Sequence, residues 1–408
     1  MSFGPVSLGH ANHGNHGNAQ RQSAPQEDSP RHTARHPHPL SPVPDDGPSP
    51  PSPPPSPSLR FGYGTNGLAD LRLDDALALL ADLGYDGVGL TLDHMHLDPL
   101  APDLAARTRR VAHRLDTLGL AVTVETGARY VLDPRRKHGP SLLDPDPEDR
   151  ARRVDLLLRA VRIAGDLGAH AVHCFSGTLP PGRDPDPGAS TDKDPDTNTA
   201  WQRLAETLTP VLDAAATAGI PLAIEPEPGH LLATLADFHR LRRMLGDPAS
   251  LGLTLDIGHC QCLEPLPPAD CVRDAAPWLR HVQIEDMRRE VHEHLPFGDG
   301  EIDFPPVLAA LAATGYRGLT VVELPRHSHA GPHYAELSLP FLRRVQTAAQ
   351  AVAYADPRPP SLPASTAHPA DRQRSSSHAV LPSRPSPAAN PSVAPPGEPS
   401  ATPEGSTP

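Results

Sequence analysis

Two short stretches decide the fold: Ile220–Glu225 reads IPLAIE and Gly252–Asp256 reads GLTLD. Each is an apolar run of strand length that stops on a carboxylate. Between them, Leu235–Leu245 (LADFHRLRRML) repeats its apolar residues near every 3.6 positions, the period of a helix with one buried face. The unit is strand, helix, strand. Working outward, the same unit recurs. Arg60–Thr65, Gly87–Leu92, Leu120–Glu125, His170–Phe175, Leu279–Ile284 and Gly318–Glu323 are further apolar runs. Helical spacing fills the intervals at Leu73–Leu83, Leu104–Leu118, Ala151–Leu167, Ala200–Ala218 and Pro305–Thr314, and again at His333–Ala351. Gly84, Gly119, Gly168, Gly219 and Gly315 stand just before the next run, where glycine closes a helix in the left-handed conformation.

Eight such units predict an α/β domain over residues 59–355, a (β/α)8 TIM barrel. An open doubly wound sheet is the competing architecture, but no strand is followed by a G-x-G-x-x-G turn. Gly127–Asp149 and Gly177–Asn198 are long connections after strands, which in a barrel lie over the catalytic mouth. The flanks differ in kind. Residues 1–58 and 356–408 hold 28 of the 54 prolines, are rich in Ser and carry few aliphatic runs, so they are expected to be disordered tails. His10, His13 and His16 in the first tail read as solvated side chains rather than a metal site.

The net charge of −13 falls almost wholly between the tails, and no Lys/Arg run interrupts it. That argues against a nucleic-acid groove or an anionic membrane surface. No stretch approaches the roughly 18 uninterrupted apolar residues of a bilayer span. Met1–Gln20 lacks the basic and apolar regions of a secretory signal, so a cytoplasmic setting is expected. Cys174, Cys260, Cys262 and Cys271 are too few for a disulfide framework and read as free thiols.

In a barrel the carboxyl ends of the strands converge. Glu125, Glu225, Asp256 and Glu323 end four of the runs, and His173 and Gln283 lie within two others. His259 follows Asp256 by three residues, and His292 and His294 follow the seventh run. Carboxylates meeting without a counter-charge resist joint ionisation. A divalent cation resolves the conflict, and carboxylate plus amide oxygens form a hard ligand set suited to Mn²⁺ or Mg²⁺.

The motifs together resemble the xylose isomerase-like TIM-barrel superfamily, the sugar phosphate isomerases and epimerases. The resemblance covers residues 60–345 and rests on Leu222–Pro226 (LAIEP), Leu255–His259 (LDIGH), His281–Asp286 (HVQIED), His294–Phe304 (HLPFGDGEIDF) and Gly318–Leu324 (GLTVVEL), in that order. It implies a divalent ion, Mn²⁺ or Mg²⁺ first and Co²⁺ or Zn²⁺ next, on Glu225, Asp256, Gln283 and Glu323. Gln283 stands where many members carry His, as it does in hydroxypyruvate isomerase-like members. The resemblance also implies a substrate or second-metal role for His259, His173, His292 and His294. Glu125, Arg288 and Arg289 are the candidate substrate contacts, and a homo-oligomer is compatible. The barrel also hosts apurinic-site endonucleases. Here His292 falls where those carry Asp, and the acidic core offers phosphates no groove.

The chemistry such a site suits is proton abstraction beside a carbonyl, with Glu225 and Glu323 as base and acid around a metal-stabilised enediolate. The expected activity is therefore isomerisation or epimerisation of a small sugar or hydroxy-keto acid. A related lyase (inosose dehydratase-like), a metal-dependent phosphodiesterase and a non-catalytic metabolite-binding barrel are the alternatives. A GDG turn at Gly298–Gly300 reads as turn glycines, not as evidence of a phosphorylated substrate.

Overall fold

The structure, a computed structural model, describes residues 58–179 and 195–355. The expected disordered tails, and most of the Gly177–Asn198 connection, lie outside the described residues.

Eight parallel strands close into a barrel, the predicted architecture. They are β1 (Arg60–Gly64), β2 (Gly87–Thr91), β3 (Ala121–Glu125), β4 (Val172–Phe175), β5 (Leu222–Glu225), β6 (Leu251–Asp256), β7 (Leu279–Ile284) and, last in the chain, β10 (Leu319–Val322). Around the barrel the order is β1-β10-β7-β6-β5-β4-β3-β2, and β1 pairs with β10 from Arg60↔Leu319 to Tyr63↔Val322 to close it. Every residue of β2, β5, β6 and β10 is buried, which is why these strands read as unbroken apolar runs instead of alternating.

Helices α1 (Leu73–Leu83), α2 (Leu104–Leu118) and α5 (Leu235–Leu245) have the predicted bounds. α3 begins at Pro147, ahead of the apolar periodicity at Ala151, because Asp146 accepts from the Glu148 amide and proline sits in the first turn. α4 (Pro195–Ala218), α8 (Phe304–Ala313) and α9 (Gly331–Ala355) complete the predicted set. Two additions follow β6: short helices α6 (Ile257–Leu263) and α7 (Pro268–Ala275). A third addition follows β7, an antiparallel hairpin of β8 (Asp286–Arg288) and β9 (Val291–Leu295). Asp286 organises its base by accepting from the amides of Gly298 at 2.8 Å and Ile302 at 3.1 Å. Gly298 has φ of 100°, a conformation that explains the turn glycine.

The barrel interior requires small residues where site side chains cross it. A Cβ at Gly89 would lie 2.4 Å from Glu125 Oε1 and 2.8 Å from Val321 Cγ1. Gly89→Ala is therefore expected to cost about 1–3 kcal/mol through overpacking, read as a lowered urea midpoint at unchanged slope.

The long connection between β3 and α3 is tied down by two arginines. Arg136 reaches Asp133 at 2.8 Å, Asp144 at 3.1 Å and Asp149 at 2.7 Å. Arg153, buried in α3, donates to the carbonyls of Pro140 at 2.8 Å and His138 at 2.6 Å. Arg153→Met leaves both carbonyls without their donor, and each unsatisfied buried group costs about 1–3 kcal/mol. The expected result is a Tm drop together with faster protease cleavage between residues 127 and 146. A variant cut no faster than the parent would mean that Arg153 does not hold this connection.

Candidate active site

The mouth of the barrel is a cavity of about 330 Å³ lined from several elements, including Asn66, His173, Glu227, His292, His294 and Glu323. Beneath it the strand ends meet. Glu225 ends β5, Asp256 ends β6, and Glu323 follows β10 by one residue. One carboxylate oxygen from each lies within 4.8 Å of the other two. Gln283 is the register partner of Asp256 across β6 and β7, and its side chain is 1% exposed. Asp256 Oδ2 and Gln283 Oε1 are buried oxygens with no hydrogen-bond donor among the described residues, and buried Glu225 Oε1 has the His259 ring 3.2 Å away. Buried oxygens left this way are costly. A hard divalent ion would satisfy all three, so the residues fit the group that the sequence pattern implies.

The carboxylates differ sharply in environment. Glu225 is clamped by His173 Nε2 at 2.5 Å and approached by His259 Nδ1 at 3.2 Å. Burial disfavours its charge, but the two imidazoles outweigh that and hold its pKa below the usual carboxylate range. The Thr126 amide faces His173 Nδ1 at 3.4 Å, so Nε2 is the nitrogen that donates to Glu225. Glu323 accepts from Asn66 Nδ2 at 2.8 Å, yet burial and the Glu125, Glu225 and Asp256 charges hold its pKa well above the usual range.

Three histidines stand together over this floor. His292 and His294 alternate on β9 and so share a face, the one turned to His259. His259 Nε2 and His292 Nε2 are 3.1 Å apart, and the Asp256 carboxylate accepts from the His259 amide at 2.8 Å. Burial opposes a charge on His259, but Asp256, Glu227 and Glu225 prevail and raise its pKa well above the ordinary value. His292 and His294 are kept neutral, burial lowering them to about 4 and about 3.

Other expected residues sit elsewhere. Glu125 is inside the barrel, held by Thr91 Oγ1 at 3.3 Å and His281 Nε2 at 3.1 Å, and does not line the cavity. Arg288 and Arg289 were expected to hold substrate hydroxyls, but the hairpin takes up both. Arg288 donates to the Asp299 carbonyl at 2.8 Å and Arg289 to those of Gln261 at 3.1 Å and Glu264 at 2.5 Å. Neither reaches the cavity, because the turn between β8 and β9 carries them to its far side.

Three residues were missed. Glu227, two positions past Glu225 in the stretch EPEP, lines the cavity, and burial with the Glu225 and Asp256 charges raises it to about 7. Its closeness to Glu225 in sequence was the available signal. Glu285 is fully buried near Asp256, with His294 Nδ1 3.4 Å from its Oε1. Asn66 had no signal, since its partner is 257 residues away.

A closed parallel barrel with carboxylates and imidazoles gathered at the strand ends has the layout of a TIM barrel whose site lies at the carboxyl-terminal face. Residues 77–345 match the model of the xylose isomerase-like TIM barrel family, and the chain belongs to that family. It is 32% identical over 169 residues to the rhizopine catabolism protein MocC of Rhizobium meliloti, 36% of this chain and 51% of that protein. It is 28% identical over 199 residues to inosose dehydratase of Yersinia enterocolitica, 43% of this chain and 64% of that protein. It is 27% identical over 251 residues to L-ribulose 3-epimerase of Mesorhizobium japonicum, 61% of this chain and 74% of that protein. The chain thus spans between about half and two-thirds of the length of the first two relatives. Among the described residues no helix is long and apolar enough to cross a membrane.

Proposed function

We propose that this protein is a divalent-metal-dependent isomerase or epimerase of a small sugar or hydroxy-keto acid. The observation that carries the reading is the meeting of Glu225, Asp256 and Glu323, from three separate strands, within 4.8 Å. Glu225, Asp256, Gln283 and Glu323 would hold the ion. When bound, it supplies Lewis-acid stabilisation of negative charge developing on a substrate carbonyl oxygen.

The chain's own residues do the rest. β5 and β10 are separated in the barrel by β6 and β7, so Glu225 and Glu323 approach a bound molecule from different sides. In the metal-free fold their environments push their proton affinities apart. Glu225, ionised beside His173 and His259, takes the proton next to the carbonyl with the oxygen that is not on the ion. Glu323 returns one from its own oxygen that is not on the ion. Asn66 holds the Glu323 carboxyl in place. Return to the opposite face of the same carbon epimerises, and return to the neighbouring carbon isomerises.

The identity to an inosose dehydratase favours a second reading, in which the same abstraction is followed by loss of water. The test common to all three outcomes is exchange of the substrate C–H proton in D₂O, followed by NMR over a panel of ketopentoses, ketohexoses and inososes with Mn²⁺ present. Exchange with a new stereocentre supports epimerisation, and exchange with a dehydrated product supports the lyase. No exchange on any member would sink the carbanion chemistry. The location of the protein is proposed as cytoplasmic, its partner as a polyol-type small molecule and its assembly as a homo-oligomer.

A further inference from the structure

The closed end of the barrel, opposite the mouth, presents a charge conflict of the reverse sign. A cavity of about 380 Å³ there is lined by residues that include His170, Arg280, Thr314, Tyr316 and Arg317. They come from positions at the amino ends of strands. His170 precedes β4, Arg280 is the second residue of β7, and Arg317 precedes β10. Arg60, the first residue of β1, donates from Nη1 to His170 Nε2 at 3.1 Å. That bond makes Nε2 an acceptor and the ring neutral, in keeping with the lowering of its pKa by burial and by the Arg60 charge.

Two guanidinium-bearing residues, Arg280 and Arg317, thus line one concavity, and Arg60 stands beside it through His170, in a chain of net charge −13. Their charges are not answered by the protein. Among the described residues none of Arg60, Arg280 and Arg317 forms an ion pair; Arg60 bonds to His170, and Arg280 to the carbonyls of Leu279 and Pro277. The carboxylate near the start of β2, Asp86, is taken by Arg343 at 2.7 Å. Asp274, in α7 ahead of β7, pairs with His239 at 3.1 Å. Arg280 is also placed deliberately. Its Nη1 donates to the Leu279 carbonyl at 2.9 Å, which leaves its other nitrogens free. The chain makes room for its stem, because a Cβ at Gly252 would lie 2.3 Å from Arg280 Cγ.

We propose that this cavity binds a phosphoryl-type oxyanion, at a site separate from the mouth. Guanidinium forks match the geometry of a tetrahedral oxyanion, and one bound group would answer Arg280 of β7 and Arg317 of the turn before β10 together. The occupant is inorganic phosphate or the terminal phosphate of an ester, whose recognition chemistry is the same. It ties the amino ends of the adjacent strands β10 and β7 and so stabilises the barrel.

The test uses the full chain as purified. Tm and titration calorimetry are measured with 10 mM-scale inorganic phosphate, with glycerol phosphate, and with chloride of matched ionic strength, which screens without bridging. The expected result is a rise of several degrees with the phosphoryl compounds beyond that with chloride. Arg317→Gln, which alters an exposed side chain, should weaken phosphate binding at least tenfold, and Arg280→Gln should do the same. Turnover at the mouth should not change in either. The Arg129→Gln/Arg326→Gln pair, which removes cations lining the mouth, should bind phosphate as the parent does. A rise with glycerol phosphate alone assigns an ester, and a rise with both assigns the phosphoryl group itself. The site is overturned by no rise beyond chloride, or by a rise that survives Arg280→Gln and Arg317→Gln and is lost in the mouth pair. The melting and binding readings need no turnover, so failure of the proposed reaction leaves them interpretable.

Discussion

Glu323→Gln is expected to lower turnover by about 10²–10⁴-fold, the contribution of a positioned acid or base, and to raise the Tm of the metal-free protein at the same time. The opposite signs are the point. Glu323 shares the floor of the mouth with Glu225 and Asp256, and burial together with those charges pushes its pKa well above the usual value. Glutamine keeps the oxygen that accepts from Asn66 and removes the cost of holding that carboxyl protonated in the fold while the unfolded chain ionises it. A gain of about 1 kcal/mol would appear as about 2–4 °C in a domain of a few hundred residues. Glu225→Gln should lose comparable activity without the gain in stability, because Glu225 is the partner of His173 and His259 and its charge is compensated. Steady-state kinetics with scanning calorimetry on both variants read the two effects. If Glu323→Gln keeps parental turnover, or if it destabilises while Glu225→Gln stabilises, the division of roles between the two carboxyls is wrong.

Mn²⁺ should stabilise the protein, and the gain should grow from pH 6 to pH 8. Glu323 and Glu285 both have pKa values raised well above the ordinary glutamate value, so the folded chain holds protons that the unfolded chain releases. Stability of the metal-free protein therefore falls as pH rises through that window. His259 and His173, raised by the surrounding carboxylates against the effect of burial, act in the same sense. Their stabilisation is complete below the ordinary histidine value and is lost as pH rises through their folded values. On the acid side the sign reverses. His230 and His294 are lowered to about 3, and His138 and His292 to about 4, so they stay neutral in the fold and favour unfolding once pH drops below the ordinary histidine value.

The metal-free Tm should consequently peak on the acid side of neutrality, near the ordinary histidine value. A cation at the carboxylates displaces the retained protons, which makes its affinity rise with pH. At a hundred times its dissociation constant a ligand adds about 2.7 kcal/mol, or about 5–10 °C here. Melting curves with Mn²⁺ or EDTA at pH 6, 7 and 8 measure this directly. A gain that is absent, or that shrinks with pH, would remove the cation from the carboxylate floor.

Much of the molecule was legible before its structure. The runs ending at Glu225 and Asp256 are read correctly because strand and helix periodicity are local properties, carried by residues a few positions apart. The same local rule identifies strand-end carboxylates once eight units are counted. It does not say where a side chain finds its partner. Glu125 and His281, 156 residues apart, bond to each other inside the barrel. Arg288 and Arg289 lie beside the seventh strand in sequence but are turned away by a hairpin whose base is held by Asp286. Glu227, Glu285 and Asn66 enter the site only because barrel closure brings β5, β7 and the segment after β1 together at one end.

The amino-acid order alone therefore determined the kind of element at each position, the number of units and the residues at the strand ends, because backbone propensity and hydrophobic period act over a few residues. Closure and register decided which of those residues share a cavity, which carboxyls hold their protons, and that Arg280 and Arg317 line one concavity at the opposite end. Those outcomes depend on burial and on charges distant in the chain, and these exist only once the chain has folded.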